Sequence, residues 1–113
     1  MTNDRDLIHK IQQGDPDACD ALYRQHENGL RWHVRSLVRD EAAADDLLQE
    51  TFLRLWIRAG QWRGAGSVKA WLYSIARNLA LTHLDSVRRR RQQPLEMPDD
   101  EDEDTLVPAW MID

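Results

Sequence analysis

The stretch Ser67–Arg91, SVKAWLYSIARNLALTHLDSVRRRR, decides the fold class. Val68, Trp71, Leu72, Ile75, Ala76, Leu79 and His83 or Leu84 recur every three or four residues, the spacing that gathers apolar side chains on one side of an α-helix. Ser67 is placed to cap it, because its hydroxyl can accept from a first-turn N–H, and neither proline nor glycine interrupts the pattern for about six turns. The run closes on four consecutive arginines, Arg88–Arg91. The expectation is a core helix that delivers positive charge to a polyanion and ends within the arginines.

Charge is distributed to match. The 113 residues carry a formal net charge of -5, which alone argues against nucleic acid. Yet residues 54–91 hold nine basic residues against one acid, Asp85, while residues 96–104 hold seven acids and no base. The average hides two opposed blocks, one suited to phosphate and one that repels it.

Upstream, Leu7, Ile8 and Ile11 before Gly14 predict a short helix over residues 4–13, marginal alone and in need of a partner. Asp15-Pro16 reads as N-cap and first helical position of a longer helix reaching about Arg39. Its stripe is Ala18, Cys19, Leu22, Tyr23, His26, Leu30, Val34, Leu37 and Val38, with Asn28-Gly29 a point of bending or interruption. Asp40 can cap a third helix, whose acid-rich first turns suit the positive end of the dipole. Leu47, Leu48, Thr51, Phe52, Leu55, Trp56 and Ala59 form its apolar face, and Glu50 precedes Arg54 in the supportive i,i+4 order. Asp45, Asp46, Gln49, Glu50, Leu53 and Arg54 face outward, either as an ordinary solvated face or as a protein-docking one.

The connection Gly60–Gly66 carries three glycines, Trp62 and Arg63. Its short length makes its flanking helices neighbours, and Trp62 is either a lid over the core or a recognition residue. No segment alternates with strand periodicity. The expected fold is therefore all-α, a bundle of three or four helices over residues 1–91, followed at 92–113 by a disordered acidic segment with Pro94 and Pro98 as breakers. That segment can fold back on the arginines, and the apolar cluster Leu106, Val107, Trp110, Met111 and Ile112 after it reads as a small docking element.

Chemistry-bearing motifs are missing. No phosphate-binding glycine loop, HExxH, CxxC or paired-histidine spacing occurs, so neither a metal nor a cofactor is implied, and enzymatic activity is not expected. The single cysteine, Cys19, permits no internal disulfide. With no signal-type h-region and no run of about eighteen apolar residues, the expectation is a cytoplasmic protein without a membrane span. What the residues do offer is arginine forks for phosphate oxygens and aromatic rings for unstacked bases. Trp62, Trp71 and Tyr73 interleave with Arg63, Lys69 and Arg77, a composition suited to opened or single-stranded nucleic acid.

Three ordered segments, DDLLQETFLRLW at 45–56, the Trp62–Gly64 loop and KAWLYSIARNLALTHLDSVRRRR at 69–91, resemble region two of bacterial sigma factors of the extracytoplasmic-function group. The resemblance implies an all-helical domain that docks on the clamp helices of the RNA polymerase beta-prime subunit and captures the non-template strand of the minus-ten promoter element. It places Asp45, Asp46, Leu48, Gln49, Glu50, Leu53 and Arg54 in the core-polymerase-binding motif. It assigns Gln61, Trp62 and Arg63 to a loop that accepts a flipped base. Lys69, Trp71, Tyr73, Ser74, Arg77, Asn78, Thr82, His83, Arg88, Arg89, Arg90 and Arg91 match the strand-separation and recognition segment.

The resemblance also implies an anti-sigma factor as partner, and a second, helix-turn-helix domain beyond the acidic linker that is absent from these residues. Two positions depart from the family pattern: Thr82 stands where an acid is common, and Asp85 near where a base is. The rival expectations are a helical adaptor or regulatory domain without DNA readout, and an RNA-binding module.

Overall fold

The computed structural model describes residues 3–64 and 66–92; the acidic segment and the apolar cluster after it lie outside the described residues. Among the described residues four helices follow one another: α1 (Asp4–Gln12), α2 (Pro16–Val38), α3 (Glu41–Arg58) and α4 (Val68–Gln92), with a 3-10 turn at Ala59–Gln61 after α3. Each starts on a side-chain cap that accepts one of the orphan first-turn N–H groups. Asn3 accepts from Asp6 N at 2.8 Å, Asp15 from Asp17 N at 3.0 Å, Asp40 from Ala43 N at 3.2 Å and Ser67 from Ala70 N at 3.0 Å. The all-helical expectation and the caps at Asp15, Asp40 and Ser67 hold.

Helix α2 runs unbroken through Asn28-Gly29. Gly29 is there for another reason: a Cβ at this position would lie 2.5 Å from the Tyr73 hydroxyl oxygen, so α4 lays its tyrosine across the bare backbone of α2. At its C-terminus α2 closes on Arg39 in the left-handed region, φ 57, whose N–H bonds Arg35 O at 2.8 Å. A non-glycine residue in this conformation costs about 1–2 kcal/mol.

The core is one cluster drawn from all four helices: Leu7, Ile8 and Ile11 of α1, Leu22, Leu30 and Val34 of α2, Ala44, Leu48, Phe52 and Leu55 of α3, and Val68, Leu72, Ala76 and Ala80 of α4. Helix α2 packs against each of the others. Tyr23 and Phe52 meet edge to face at 5.0 Å between α2 and α3. Thr51, fully buried, satisfies its hydroxyl by donating to Leu47 O at 2.7 Å. Trp56, expected on the buried face of α3, is instead 38% exposed, while Trp32 on α2 is 72% exposed. No described helix is long and apolar enough to cross a membrane.

Candidate nucleic-acid interface and docking face

Fixing the inner side of α4 determines what its outer side shows. With Val68, Leu72, Ile75, Ala76, Leu79 and Ala80 buried, the helical period leaves Ser74, Arg77, Asn78, Leu81, Asp85 and Arg88 along one exposed stripe. Lys69 stands at its N-terminal edge, with its ammonium 5.6 Å from the Tyr73 ring centroid. Tyr73 is half-buried, held by Lys69, by His33 at 5.4 Å and by its seat on Gly29. Trp71 is half-buried against the core, Thr82 and His83 are half-buried, and Arg63, Arg89, Arg90 and Arg91 are exposed. Leu81, 42% exposed inside this polar stripe, is a residue that the sequence reading misses, although it follows Asn78 by one helical step.

Asp85 is accounted for locally. Its carboxylate bonds Arg88 at 2.9 Å and lies 3.7 Å from Arg89, so it spaces the arginine run. Arg90 and Arg91 carry no such partner among the described residues. Ser74 Oγ donates to Trp71 O at 2.7 Å, leaving its oxygen free to accept. Gln61 accepts from Arg58 Nε at 3.1 Å.

The loop itself differs from one of the two expectations for it. Trp62 is only 8% exposed and belongs to the core, so its ring is a lid over the bundle and not a platform for a base. Helix α1 holds it there. Arg5 lies 5.6 Å over the ring, His9 meets it edge-on at 6.2 Å, and Gln12 Nε2 donates to Trp62 O at 3.2 Å and to Ala59 O at 2.9 Å. The indole Nε1 is buried without a partner, as is Asp4 Oδ1, and both residues line a cleft of about 370 Å3 that also includes Asn3, Gly66 and Ser67. The other carboxylate oxygen of Asp4 meets His26 Nε2 at 2.7 Å and ties α1 to α2.

The outer side of α3 is sorted by its internal pairings. Leu48, which the period places on the apolar face and the resemblance in the docking motif, is 1% exposed and belongs to the core, so it does not itself present a docking surface. Asp45 is engaged by Arg31 of α2 at 2.5 Å, and Arg31 also holds Glu27 at 3.0 Å. A hydrogen bond with the Tyr23 hydroxyl raises the Arg31 guanidinium above its ordinary pKa; burial, the next effect in size, opposes this, and the charges of Asp45 and Glu27 add to the rise. Glu50 pairs with Arg54 at 2.6 Å, in the order anticipated from spacing, and Arg54 Nε is buried without a partner.

Asp46, Gln49 and Leu53 are exposed, and among the described residues no side-chain bond occupies the first two. Beside them an apolar groove of about 400 Å3 runs between α2 and α3, lined by Pro16, Cys19, Tyr23, Gln49, Phe52 and Trp56. Burial, and then the neighbouring Asp20 carboxylate, push the Cys19 thiol above its ordinary pKa. Leu53 and Ile57, 50% and 61% exposed, extend this apolar character along α3. Among the described residues no group of acidic, histidine or cysteine side chains could hold a metal.

A family model described as Sigma-70 region 2 matches residues 22–91. The RNA polymerase sigma-H factor of Pseudomonas aeruginosa is 34% identical over 91 residues, covering 80% of this chain and 46% of that protein. The ECF RNA polymerase sigma factor BldN of Streptomyces coelicolor is 38% identical over 86 residues, covering 75% of this chain and 33% of that protein. The chain thus spans half or less of the length of these relatives. An NMR structure of an engineered region 2 of sigmaE in complex with GTAAAA has the same fold, with a TM-score of 0.74, 26% identity, and coverage of 85% of this chain and 96% of that one.

Proposed function

The chain belongs to the sigma-70 region 2 family, in its extracytoplasmic-function group, and from that premise we propose that it docks on core RNA polymerase and captures the opened minus-ten element during transcription initiation. One observation carries the reading. From residue 61 to residue 92 every charged side chain except Asp85 is a cation, and the buried side of α4 leaves Arg77 and Arg88 on its exposed stripe, with Lys69 at the N-terminal edge and Arg89–Arg91 exposed at the C-terminal end. The structural neighbour that shares this fold holds GTAAAA.

The chemistry is binding without a covalent step. Arg63, Lys69, Arg77 and Arg88–Arg91 supply forked and point-charge contacts to phosphates, which position the strand but carry no sequence information. Ser74, Asn78, Thr82 and His83 supply the hydrogen-bonding groups that can read base edges, with Tyr73 and Trp71 as the aromatic surface. Removing a base from its stack costs a few kcal/mol, which these contacts must offset. Because phosphate contacts release counterions, binding weakens steeply with salt.

On the outer side of α3, Asp46, Gln49 and Leu53 form the docking face for the clamp helices of the beta-prime subunit, framed by Asp45, Glu50 and Arg54. Leu48 supports that face from within. An inhibitory protein of the anti-sigma class is the second partner, suited to cover the apolar strip of Leu53, Trp56 and Ile57. Residues 92–113 are assigned as the acidic linker to a further domain, and the whole acts in the cytoplasm, where polymerase is.

Two measurements test this. Core polymerase should be retained by the wild-type chain and lost on Gln49→Ala combined with Leu53→Ala; retention by the double variant sinks the docking assignment. Fluorescence anisotropy should show GTAAAA bound more tightly than a permuted hexanucleotide, and equal binding rejects sequence-specific capture.

A further inference from the structure

The matched family region begins at residue 22, so α1 lies outside it. Yet α1 makes the polar contacts that hold the loop. Arg5, His9 and Gln12 are spaced four and three apart and so lie on one stripe, the stripe that faces residues 59–64. Gln12 Nε2 has two hydrogens, and both are used: 2.9 Å to Ala59 O and 3.2 Å to Trp62 O, the carbonyls at either end of the 3-10 turn. Arg5 reaches across the Trp62 ring to within 3.5 Å of Gly64 O. The backbone beyond relies on glycine, with Gly64 at φ +86 and Gly66 at φ +76. Within the turn itself the Trp62 N–H reaches Ala59 O at 3.1 Å, and the glutamine amide closes the same turn from outside by spanning both of its carbonyls.

We propose that Gln12, supported by Arg5, is a positioning residue for promoter capture: it fixes the loop that precedes α4 in its binding conformation before the strand arrives. Gln12 touches no nucleic acid. Its effect is to remove from the binding step the cost of ordering residues 59–64, so that the exposed loop side chains Gln61 and Arg63 meet the flipped base that the family resemblance assigns to this loop, adding to the base-edge contacts of α4 while its arginines grip any strand. This rests on the capture of single-stranded minus-ten DNA proposed above.

The full chain with Gln12→Met, which keeps length and removes both donors, and with Gln12→Glu, which sets a carboxylate against two carbonyl oxygens, separates the possibilities. Anisotropy is read with fluorescent GTAAAA and with a permuted hexanucleotide, alongside hydrogen exchange of the Trp62 amide. The expected result is faster Trp62 exchange and a roughly tenfold loss of affinity for GTAAAA, with permuted-strand affinity and polymerase retention unchanged.

A wild-type preference that survives both variants overturns the positioning role alone. Equal losses on both oligonucleotides that track a lowered melting temperature also overturn it, because they mark a merely structural residue. A wild-type chain that binds both strands equally removes the capture reading and the positioning role with it.

Discussion

Replacing Gly29 by alanine asks what holds Tyr73 in place. In the middle of a 23-residue helix, glycine should be the wrong residue by about 1 kcal/mol relative to alanine. Against that advantage, the new Cβ would sit 2.5 Å from Tyr73 Oη, about 0.9 Å inside the 3.4 Å at which ordinary contact begins. Moving the ring off its rotamer or parting α2 from α4 costs about 1–3 kcal/mol, as overpacking does elsewhere. The net expectation for Gly29→Ala is a loss between nothing and about 2 kcal/mol.

In a Tyr73→Phe background the obstructing atom is gone, and the next is Cζ at 3.8 Å, an ordinary contact. There the same alanine should stabilise by about 1 kcal/mol, giving a coupling of about 1–3 kcal/mol between the two positions. Urea unfolding of the four proteins, followed by far-ultraviolet circular dichroism, measures this directly. If alanine stabilises both backgrounds alike, with coupling below about 0.5 kcal/mol, Gly29 is not the seat of Tyr73 and the account of its placement is wrong.

Three other outcomes are expected. Arg39→Gly should raise stability by about 0.5–1 kcal/mol, because glycine carries no Cβ penalty in the left-handed cap; thermal unfolding reads this as a shift of several degrees, and an unchanged midpoint refutes it. Asp85→Asn should change stability by no more than about 0.5 kcal/mol, since its pairs are exposed. Freeing Arg88 and Arg89 should at the same time tighten single-stranded DNA and steepen the salt dependence of log K by up to about 0.7 for each further phosphate neutralised, and an unaltered slope counts against it. Leu48→Ala should lose about 2–5 kcal/mol as a core cavity, whereas Leu53→Ala should stay within about 0.5 kcal/mol of wild type and lose polymerase; the reverse ranking in chemical denaturation would place the wrong leucine inside.

The elements of the fold are legible in the sequence because local chemistry specifies them. Asp15-Pro16, Asp40 and Ser67 announce helix starts through short-range acceptors, and three of the four caps follow from them. Helix α3 is harder, since Leu47, Leu48, Phe52, Leu53, Leu55, Trp56 and Ile57 surround it almost completely. Periodicity defines the buried side of such a helix poorly: it places Leu48 inside, as the structure does, but Trp56 as well, against the structure, while the place of Leu48 in the docking motif is implied by the family resemblance and not by the period. Trp62 keeps two outcomes at the level of sequence because a loop has no period at all.

The clamp by Gln12 has no local signal either. Its bonds reach across 47 and 50 residues, a distance over which only the assembled bundle brings donor and acceptor together. Gly29 misleads for a similar reason, because a glycine that makes room for a neighbour's side chain is written the same way as one that bends a helix.

The far end of α4 has a consequence in statistical rather than structural terms. Leu84 is the last of its residues packed on the core, and Arg88 through Gln92 are exposed, so the final two turns hold their helical form by backbone bonds and the Asp85 pairs alone. Four adjacent guanidinium groups oppose this through mutual repulsion, partly offset by the helix dipole. A helical stretch with so little tertiary support is marginally stable, so its length should respond to ionic strength. Salt screens the repulsion, and a phosphate backbone reverses it, so the same anion that the arginines bind also lengthens the helix that presents them. Binding and helix growth are then one equilibrium, and amide exchange across residues 86–92 should slow on adding either salt or a single strand.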